Sequence, residues 1–330
     1  MPQPHIDASN RRRLRQAVMP GVKRPEPERV PDSTADATTD AAGTAAADPG
    51  TDTSPLTATS GLILDASPHL LVIATSSGAE ARLAMSDDTS VWYAGKAGPS
   101  ALRAGRRAIV RPTADGLAAE RIWVDIVRAT GTIVTLHGAE LDVDEGPHRG
   151  RTHVTIPPHT LSHVMVRHPH FEPGYLIDVI GIRSADGVIA VRPATPQPDY
   201  PADNIPRQRP AGPVPSVLEG TATWFAGMDR QAAYPALDPS GGGCPAAAPG
   251  CAGLPYLSIG SELHVRNECT GRAKSFPVTQ CGCVAARFCD RCVECGTSPR
   301  GRIVELSPLS FVDLGGDLDV GCFNVTVRVG

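Results

Sequence analysis

The sequence predicts an all-β protein made of two small tandem barrels, a cysteine-rich β domain and a disordered tail in front. From Gly61 onward, short β-branched and Leu-rich runs alternate with Gly, Asp and Ser, a pattern typical of small antiparallel barrels. A unit of about seventy residues occurs twice in this region. All nine cysteines lie between Cys244 and Cys322. The last third of the chain is therefore chemically distinct from the rest.

Composition and charge exclude two broad classes of function. The 330 residues include 31 Lys and Arg against 35 Asp and Glu, giving a net charge of −4. Because there is no basic excess, a nucleic-acid partner is not expected. No apolar run is long enough for a membrane span. The start also lacks a recognisable signal peptide, because the RRRLR run at residues 11–15 is followed by no apolar core.

Residues 1–56 are predicted to be a disordered tail. They contain no Phe, Trp or Tyr and are rich in Ala, Thr, Asp and Pro. Such a segment cannot bury enough apolar surface to offset the entropy lost on ordering.

The two repeats are assigned to residues 57–127 and 128–194. The correspondences are Gly61-Leu-Ile-Leu with Gly131-Thr-Ile-Val, Ala81–Met85 with Thr152–Ile156, Gly105 with Gly174, and Asp115-Gly116 with Asp186-Gly187. Each copy is predicted to hold five or six strands. The pattern resembles a widespread bacterial domain of unassigned function with an oligonucleotide/oligosaccharide-type (OB-like) barrel.

Six of the ten histidines lie between His148 and His170 in the second repeat. Their density raises the possibility of a metal or pH-sensing cluster. We expect them instead to be solvated, in a strand and in loops, with no helical pair of ligands.

Residues 195–217 are predicted to be a semi-rigid linker, since eight prolines fall between residues 193 and 215. The third domain then covers residues 218–330. It begins with the strand-like run 220–227 and ends with the alternating strand 323–329. A short helix is predicted in between, with Ser307 as N-cap, Pro308 at its first position and Gly315 after it.

This order of elements resembles the double-psi β-barrel of the rare-lipoprotein-A and expansin group. Four sequence blocks carry the resemblance: Gly220–Gly227, Leu254–Asn267, Arg302–Phe311 and Leu318–Val327. The resemblance covers the last third of the chain. It implies a wall-polysaccharide or peptidoglycan context, in which family members cleave glycan strands, loosen walls or bind partners.

The resemblance also implies where a catalytic acid would lie, and the sequence departs from it there. Gln280 occupies the place of the family's acid, and an amide cannot protonate a glycosidic oxygen. A second carboxylate of related endoglucanases would fall at Phe225 or Ala226, and the family histidine is also unmatched. Asp238 and Asp290 are weak candidates for a displaced acid.

A ligand-binding groove is predicted from Trp224, Tyr234, Tyr256, His264 and Gln280, since sugars stack on exposed aromatic faces. Glu305 matches a family acid, and we expect it to have a structural role at the start of the helix.

The cysteines favour disulfides, with one of the nine left unpaired: Cys244, Cys251, Cys269, Cys281, Cys283, Cys289, Cys292, Cys295 and Cys322. The alternative is zinc held by thiolates of the dense run Cys281, Cys283, Cys289, Cys292 and Cys295. Otherwise no cofactor is expected.

We therefore expect a non-catalytic protein that binds cell-wall polysaccharide, peptidoglycan or a protein partner, with the two first barrels acting as a spacer. The alternatives are an enzyme of the lytic-transglycosylase kind with a displaced acid, and a protease-inhibitor-like binder. Disulfides suggest an extracytoplasmic or particle-surface location.

Overall fold

The computed structural model describes residues 56–194, 201–202, 216–227, 229–238 and 251–329. The predicted disordered tail, apart from residue 56, lies outside these ranges, as do most of the predicted linker and Cys244. The described part is all-β, with two short α-helices. None of its helices has the length and apolar character needed to cross a membrane.

The first repeat is a curved seven-stranded sheet. Its strands are β1 (Thr59–Ala66), β2 (Leu70–Thr75), β3 (Glu80–Ala84), β4 (Ser90–Trp92), β5 (Lys96–Ala97), β6 (Arg107–Pro112) and β7 (Ala119–Val124). They are ordered β3-β2-β1-β6-β7-β4-β5. A single bridge joins Ala84 at the end of β3 to Ala118, and β4 then pairs in parallel with β7. The sheet thus curls back on itself, but only the other two domains form closed barrels in the strand pairing.

The second repeat is a closed five-stranded barrel. It consists of β8 (Ile126–His137), β9 (Glu140–Asp144), β10 (Arg151–Thr155), α1 (Pro158–Met165), β11 (Leu176–Arg183) and β12 (Val188–Pro193). A parallel pairing of β10 with β12 closes the barrel. The sequence analysis did not anticipate α1. Its start has a recognisable signal, because Pro158 occupies the first turn, where no backbone N–H is needed.

The two predicted copies share one turn, although the first holds seven strands rather than the five or six predicted. In the first copy, the N–H of Gly105 donates to the carbonyl oxygen of Ile63 at 2.8 Å. In the second copy, the N–H of Gly174 donates to the carbonyl oxygen of Ile133, also at 2.8 Å. Both glycines have a positive φ, which L side chains rarely adopt. The two copies therefore share the same turn at the same place.

A single residue, Asp125, connects the two repeats. Its backbone N–H donates to the carbonyl oxygen of Arg107 in the first repeat, at 2.8 Å. Its own carbonyl oxygen accepts from the backbone N–H of Arg183 in the second repeat, also at 2.8 Å. Asp125 has φ +51°, which is uncommon for a residue other than glycine. Its carboxylate accepts from the Arg107 N–H at 2.9 Å and so supports this bend.

The third domain is a closed six-stranded barrel. Its elements are β13 (Val217–Trp224), β14 (Ala232–Tyr234), β15 (Glu262–Asn267), β16 (Ala273–Cys281), β17 (Arg302–Leu306), α2 (Pro308–Asp313) and β18 (Cys322–Val329). The strand order is β13-β17-β14-β16-β15-β18. β13 with β17 and β14 with β16 are parallel pairs, and the other neighbours are antiparallel. The predicted helix is present, and Ser307 accepts from the N–H of Ser310 at its start.

The third barrel packs directly against both repeats instead of standing apart from them. Residues 51–330 form one compact unit. The indole N–H of Trp123 in the first repeat donates to Asp319 at 2.8 Å. The guanidinium of Arg128 in the second repeat donates to the carbonyl of Gly321 at 2.7 Å. A buried core runs through the junction and contains Trp123, Ile180 and Trp224.

Candidate functional site

The five residues predicted to line a ligand groove do not form one surface. Trp224 and Tyr234 are fully buried in the barrel core, where the Trp224 indole donates to the carbonyl of Leu318. Burial raises the pKa of Tyr234 above its ordinary value. Tyr256 and His264 are exposed, and Gln280 is half-buried. The aromatic pattern was misleading because strand alternation does not distinguish a groove from a core.

The two weak candidates for a displaced acid occupy different places. Asp290 is buried, and its carboxylate accepts two hydrogen bonds from the Arg302 guanidinium, at 2.8 and 3.0 Å. It is therefore fixed as an ion pair inside the protein. Asp238 is half-buried, and its backbone N–H donates to the carbonyl of Leu257.

Around Gln280, four neighbouring strands place a row of residues on one face of the barrel. Thr223 of β13 is the register partner of Glu305 on β17, and Glu305 in turn is paired with Ala233 on β14. Ala233 is paired with Gln280 on β16. Register partners point to the same side of a sheet, so Thr223, Glu305, Ala233 and Gln280 form a continuous row, which we call the Glu305 row.

A loop of the second repeat covers the Glu305 row. This loop follows β9, and Gly146 and Gly150 both take a positive φ within it. One guanidinium nitrogen of Arg149 lies 2.6 Å from Oε2 of Glu305, and another donates to Oε1 of Gln280 at 3.3 Å. The guanidinium also lies over the Phe225 ring, 4.4 Å from its centroid.

His148 of the same loop accepts a hydrogen bond at Nδ1 from the N–H of Cys281, at 3.0 Å. The second repeat thus contacts the end of β16 at two consecutive residues, Gln280 and Cys281. Sequence reasoning missed this contact. The two positive-φ glycines around His148 and Arg149 mark a tight turn, but they do not reveal what the turn faces.

Glu305 has a structural role, but for a different reason from the one predicted. Its carboxylate is completely buried and pairs with Arg149 rather than with the helix N-terminus. Its Oε1, together with Oγ1 of Thr223 beside it, has no hydrogen-bond partner within the described part of the chain. Such orphaned polar atoms are costly in a folded protein and mark a place for a ligand or water.

A second carboxylate, Glu145, lies near the Glu305 row. Burial raises its pKa, and the negative charge of Glu305 adds to the rise. A hydrogen bond from Thr152 and the positive charge of Arg149 lower the pKa of Glu145, but they do not cancel the rise. Glu145 is therefore the group of this region best suited to hold a proton, yet it is only 8% exposed.

The boundary between the second and third barrels holds a further buried charge network. Asp178 accepts from both Arg128 and Arg302, and Arg302 also pairs with Asp290. Burial alone would raise the pKa of Asp178, but the two guanidinium charges outweigh this effect and hold it well below its usual range. The network fixes how the two barrels meet.

Eight cysteines form four disulfides in the described residues: Cys251–Cys289, Cys269–Cys295, Cys281–Cys283 and Cys292–Cys322. The predicted disulfide scaffold is therefore present, while the ninth cysteine, Cys244, lies outside the described residues. The run proposed as an alternative zinc site is divided, because Cys289, Cys292 and Cys295 all pair with cysteines outside it. No group of three or more metal-ligating side chains suited to an ion occurs in the ranges that the structure describes.

The histidine-rich segment differs from the predicted loops and strands. His159 and His163 both lie on α1, four residues apart, so the expectation of no helical pair was wrong. Both are exposed. His168 is buried, contrary to the solvated position expected, and its Nε2 lies 3.1 Å from the carbonyl oxygen of Asp178.

No family model matches this chain, and no curated protein matches it at a significant level.

Proposed function

We propose that the protein is a non-catalytic, wall-directed binding or structural protein, whose third barrel is directed to cell-wall polysaccharide or peptidoglycan. The observation that carries this proposal is the arrangement at Gln280. An amide stands where the similar family has its acid, and Arg149 binds both that amide and Glu305. An amide has no acidic proton to give to a glycosidic oxygen, and the loop that carries Arg149 lies over Glu305 beside it.

Tyr256 is the aromatic group of the predicted groove that remains available to a sugar. Its side chain is 64% exposed, on the loop between β14 and β15. A sugar ring presents C–H groups that pack against an aromatic face. The surface around Tyr256 is therefore our proposed contact for the glycan, in place of the covered Glu305 row.

The four disulfides support an oxidising location outside the cytoplasm or on a particle surface. Disulfides are rare where glutathione and thioredoxin keep thiols reduced.

The test is co-sedimentation of the full chain with purified peptidoglycan. The full chain is required because the third barrel shares buried contacts with both repeats. We expect binding, and a several-fold weaker binding for Tyr256→Ala. Val293→Ala is the matched control, since Val293 is a similarly exposed apolar residue of the same barrel. A protein that stays in the supernatant at all concentrations would refute the proposal.

Glu145 supports one alternative, a glycan-cleaving enzyme with a displaced acid. Its raised pKa is the property that a general acid needs. Its burial beside Arg149 argues against access, so the loop would have to open before a substrate could reach it. Fragment release by the full chain that Glu145→Gln abolishes would favour this alternative over binding alone.

A further inference from the structure

A cavity of about 240 Å³ lies where the three barrels meet. The first repeat contributes β1, β6 and β7, the second contributes the ends of β8 and β11, and the third contributes the end of β13 and the start of α2. Its lining residues are Ser60, Gly61, Arg107, Ala108, Ile109, Trp123, Asp125, Ile126, Arg183, Trp224, Ala226, Gly227, Pro308 and Leu309. It is distinct from the Glu305 row, none of whose four members lines it.

The inner wall of this junction cavity is apolar. Trp123 and Trp224 are fully buried at its base, and Ile126 and Leu309 are nearly so. Cavities of this kind at domain boundaries are the usual place for small-molecule sites in proteins. A single sugar or aromatic ring with a short substituent has a suitable size.

The lining holds three charged groups, of which Arg107 and Asp125 already have partners. Asp125 is already engaged, because one carboxylate oxygen accepts from the Arg107 N–H and the other lies 3.7 Å from the Arg106 guanidinium. Arg183 is exposed, and no carboxylate of the described residues lies within 4 Å of its guanidinium nitrogens. The lining therefore offers a positive charge beside an apolar wall.

We propose that the junction cavity binds a small organic acid, in which one carboxylate is attached to a ring-sized apolar or C–H-rich body. The single unmatched guanidinium suits a monoanion, and a guanidinium accommodates a carboxylate in a bidentate manner. The ring would pack against Ile126 and Leu309, with the carboxylate at Arg183. This site is independent of glycan binding at Tyr256 and goes beyond it.

The test measures binding of two acids and their uncharged counterparts to the full chain by calorimetry or ligand-observed NMR. The probes are glucuronate against glucose, and 3-phenylpropionate against 3-phenylpropan-1-ol. We expect at least one acid to bind at least tenfold more tightly than its neutral counterpart. Preference for glucuronate identifies an acidic sugar as the source, and preference for 3-phenylpropionate identifies an aromatic acid. No binding of either acid at millimolar concentration overturns the proposal.

Three variants locate the site. Arg183→Ala should weaken acid binding about tenfold or more, because a charge-assisted contact is lost. Ala226→Phe should abolish it by filling the cavity from an exposed lining position. Arg167→Ala, an exposed arginine of the same barrel outside the lining, should have no effect. Equal affinity of the Arg183→Ala and Arg167→Ala proteins would overturn the proposal even if the acids bind.

Discussion

Arg149 of the second repeat lies 2.6 Å from Glu305 of the third barrel, and both side chains are buried. This ion pair places a loop of the second repeat over the Glu305 row of the third barrel. It also neutralises a carboxylate that would otherwise be an uncompensated charge inside the protein. The contact that holds this loop over the Glu305 row is thus expected to contribute to the stability of the whole molecule.

Removal of the Arg149 guanidinium, the partner of Glu305, should strongly destabilise the fold. We expect Arg149→Ala to lower the free energy of unfolding by about 3–5 kcal/mol, because the buried Glu305 charge loses its partner. Denaturant unfolding of the full chain measures the change. Arg151→Ala, an exposed position two residues away, is the control and should change stability by less than about 0.5 kcal/mol. Equal effects of the two substitutions would show that the ion pair does not stabilise the fold.

Asp178 should make stability depend on acid pH. The pKa of Asp178 is lower in the folded protein than the ordinary unfolded value of about 3.9, so its ionised form stabilises the fold at neutral pH. That contribution is lost as the pH falls from about 4 towards the folded pKa. We expect Asp178→Asn to be destabilised at pH 7, and the difference from wild type to shrink at lower pH. A difference that stays constant from pH 7 to pH 3 would contradict this linkage.

Glu145 should give the stability of the fold the opposite dependence on pH. Its folded pKa is raised, so the native state binds the proton more tightly than the unfolded state does. Its contribution is present at low pH and is lost as the pH rises through the folded pKa. Glu145→Gln should therefore raise the thermal midpoint at pH 7 and leave it unchanged near pH 4. A lower midpoint at pH 7 would mean that the ionised carboxylate is needed for folding.

Substitution of Gly131 tests the close approach of two strands that the two repeats have in common. A Cβ placed there would lie 2.4 Å from the carbonyl oxygen of Asp144, and Gly61 has the same kind of contact with Ala74 in the first copy. We expect Gly131→Ala to destabilise the protein by about 1–3 kcal/mol, because backbone has to move. Gly98→Ala is the matched control, since no atom lies within 4 Å of its added Cβ. Similar unfolding midpoints for both variants would argue against the close approach of the strands.

The tandem repeat could be predicted because its positions obey local rules. Gly105 and Gly174 need a positive φ, and Gly61 and Gly131 lie where the strands approach closely, so both copies retain glycine at these points. The strands at both ends of the third domain could be predicted from alternation, and its short helix from the Ser307 cap, whereas a barrel was expected only from the family resemblance. These features depend on near neighbours in the sequence.

The contacts between domains could not be predicted in the same way. Arg149 meets Glu305 across 156 positions of the chain, and Arg128 meets Gly321 across 193. No local pattern encodes such distances. The burial of Tyr234, and the choice between core and groove for Trp224, could not be settled from the sequence for a related reason. One side of β13 faces the barrel core and the junction, so aromatic residues that suggested a sugar platform instead pack inside.

The most direct test of binding without cleavage is product analysis after long incubation of the full chain with purified peptidoglycan. Protein in the pellet shows that it has bound peptidoglycan, and mass spectrometry of the supernatant detects any released sugars. We expect bound protein with no soluble glycan fragments above a heat-inactivated control. Accumulation of anhydro-sugar fragments with time would contradict the assignment of Gln280 as an inactive replacement for the acid.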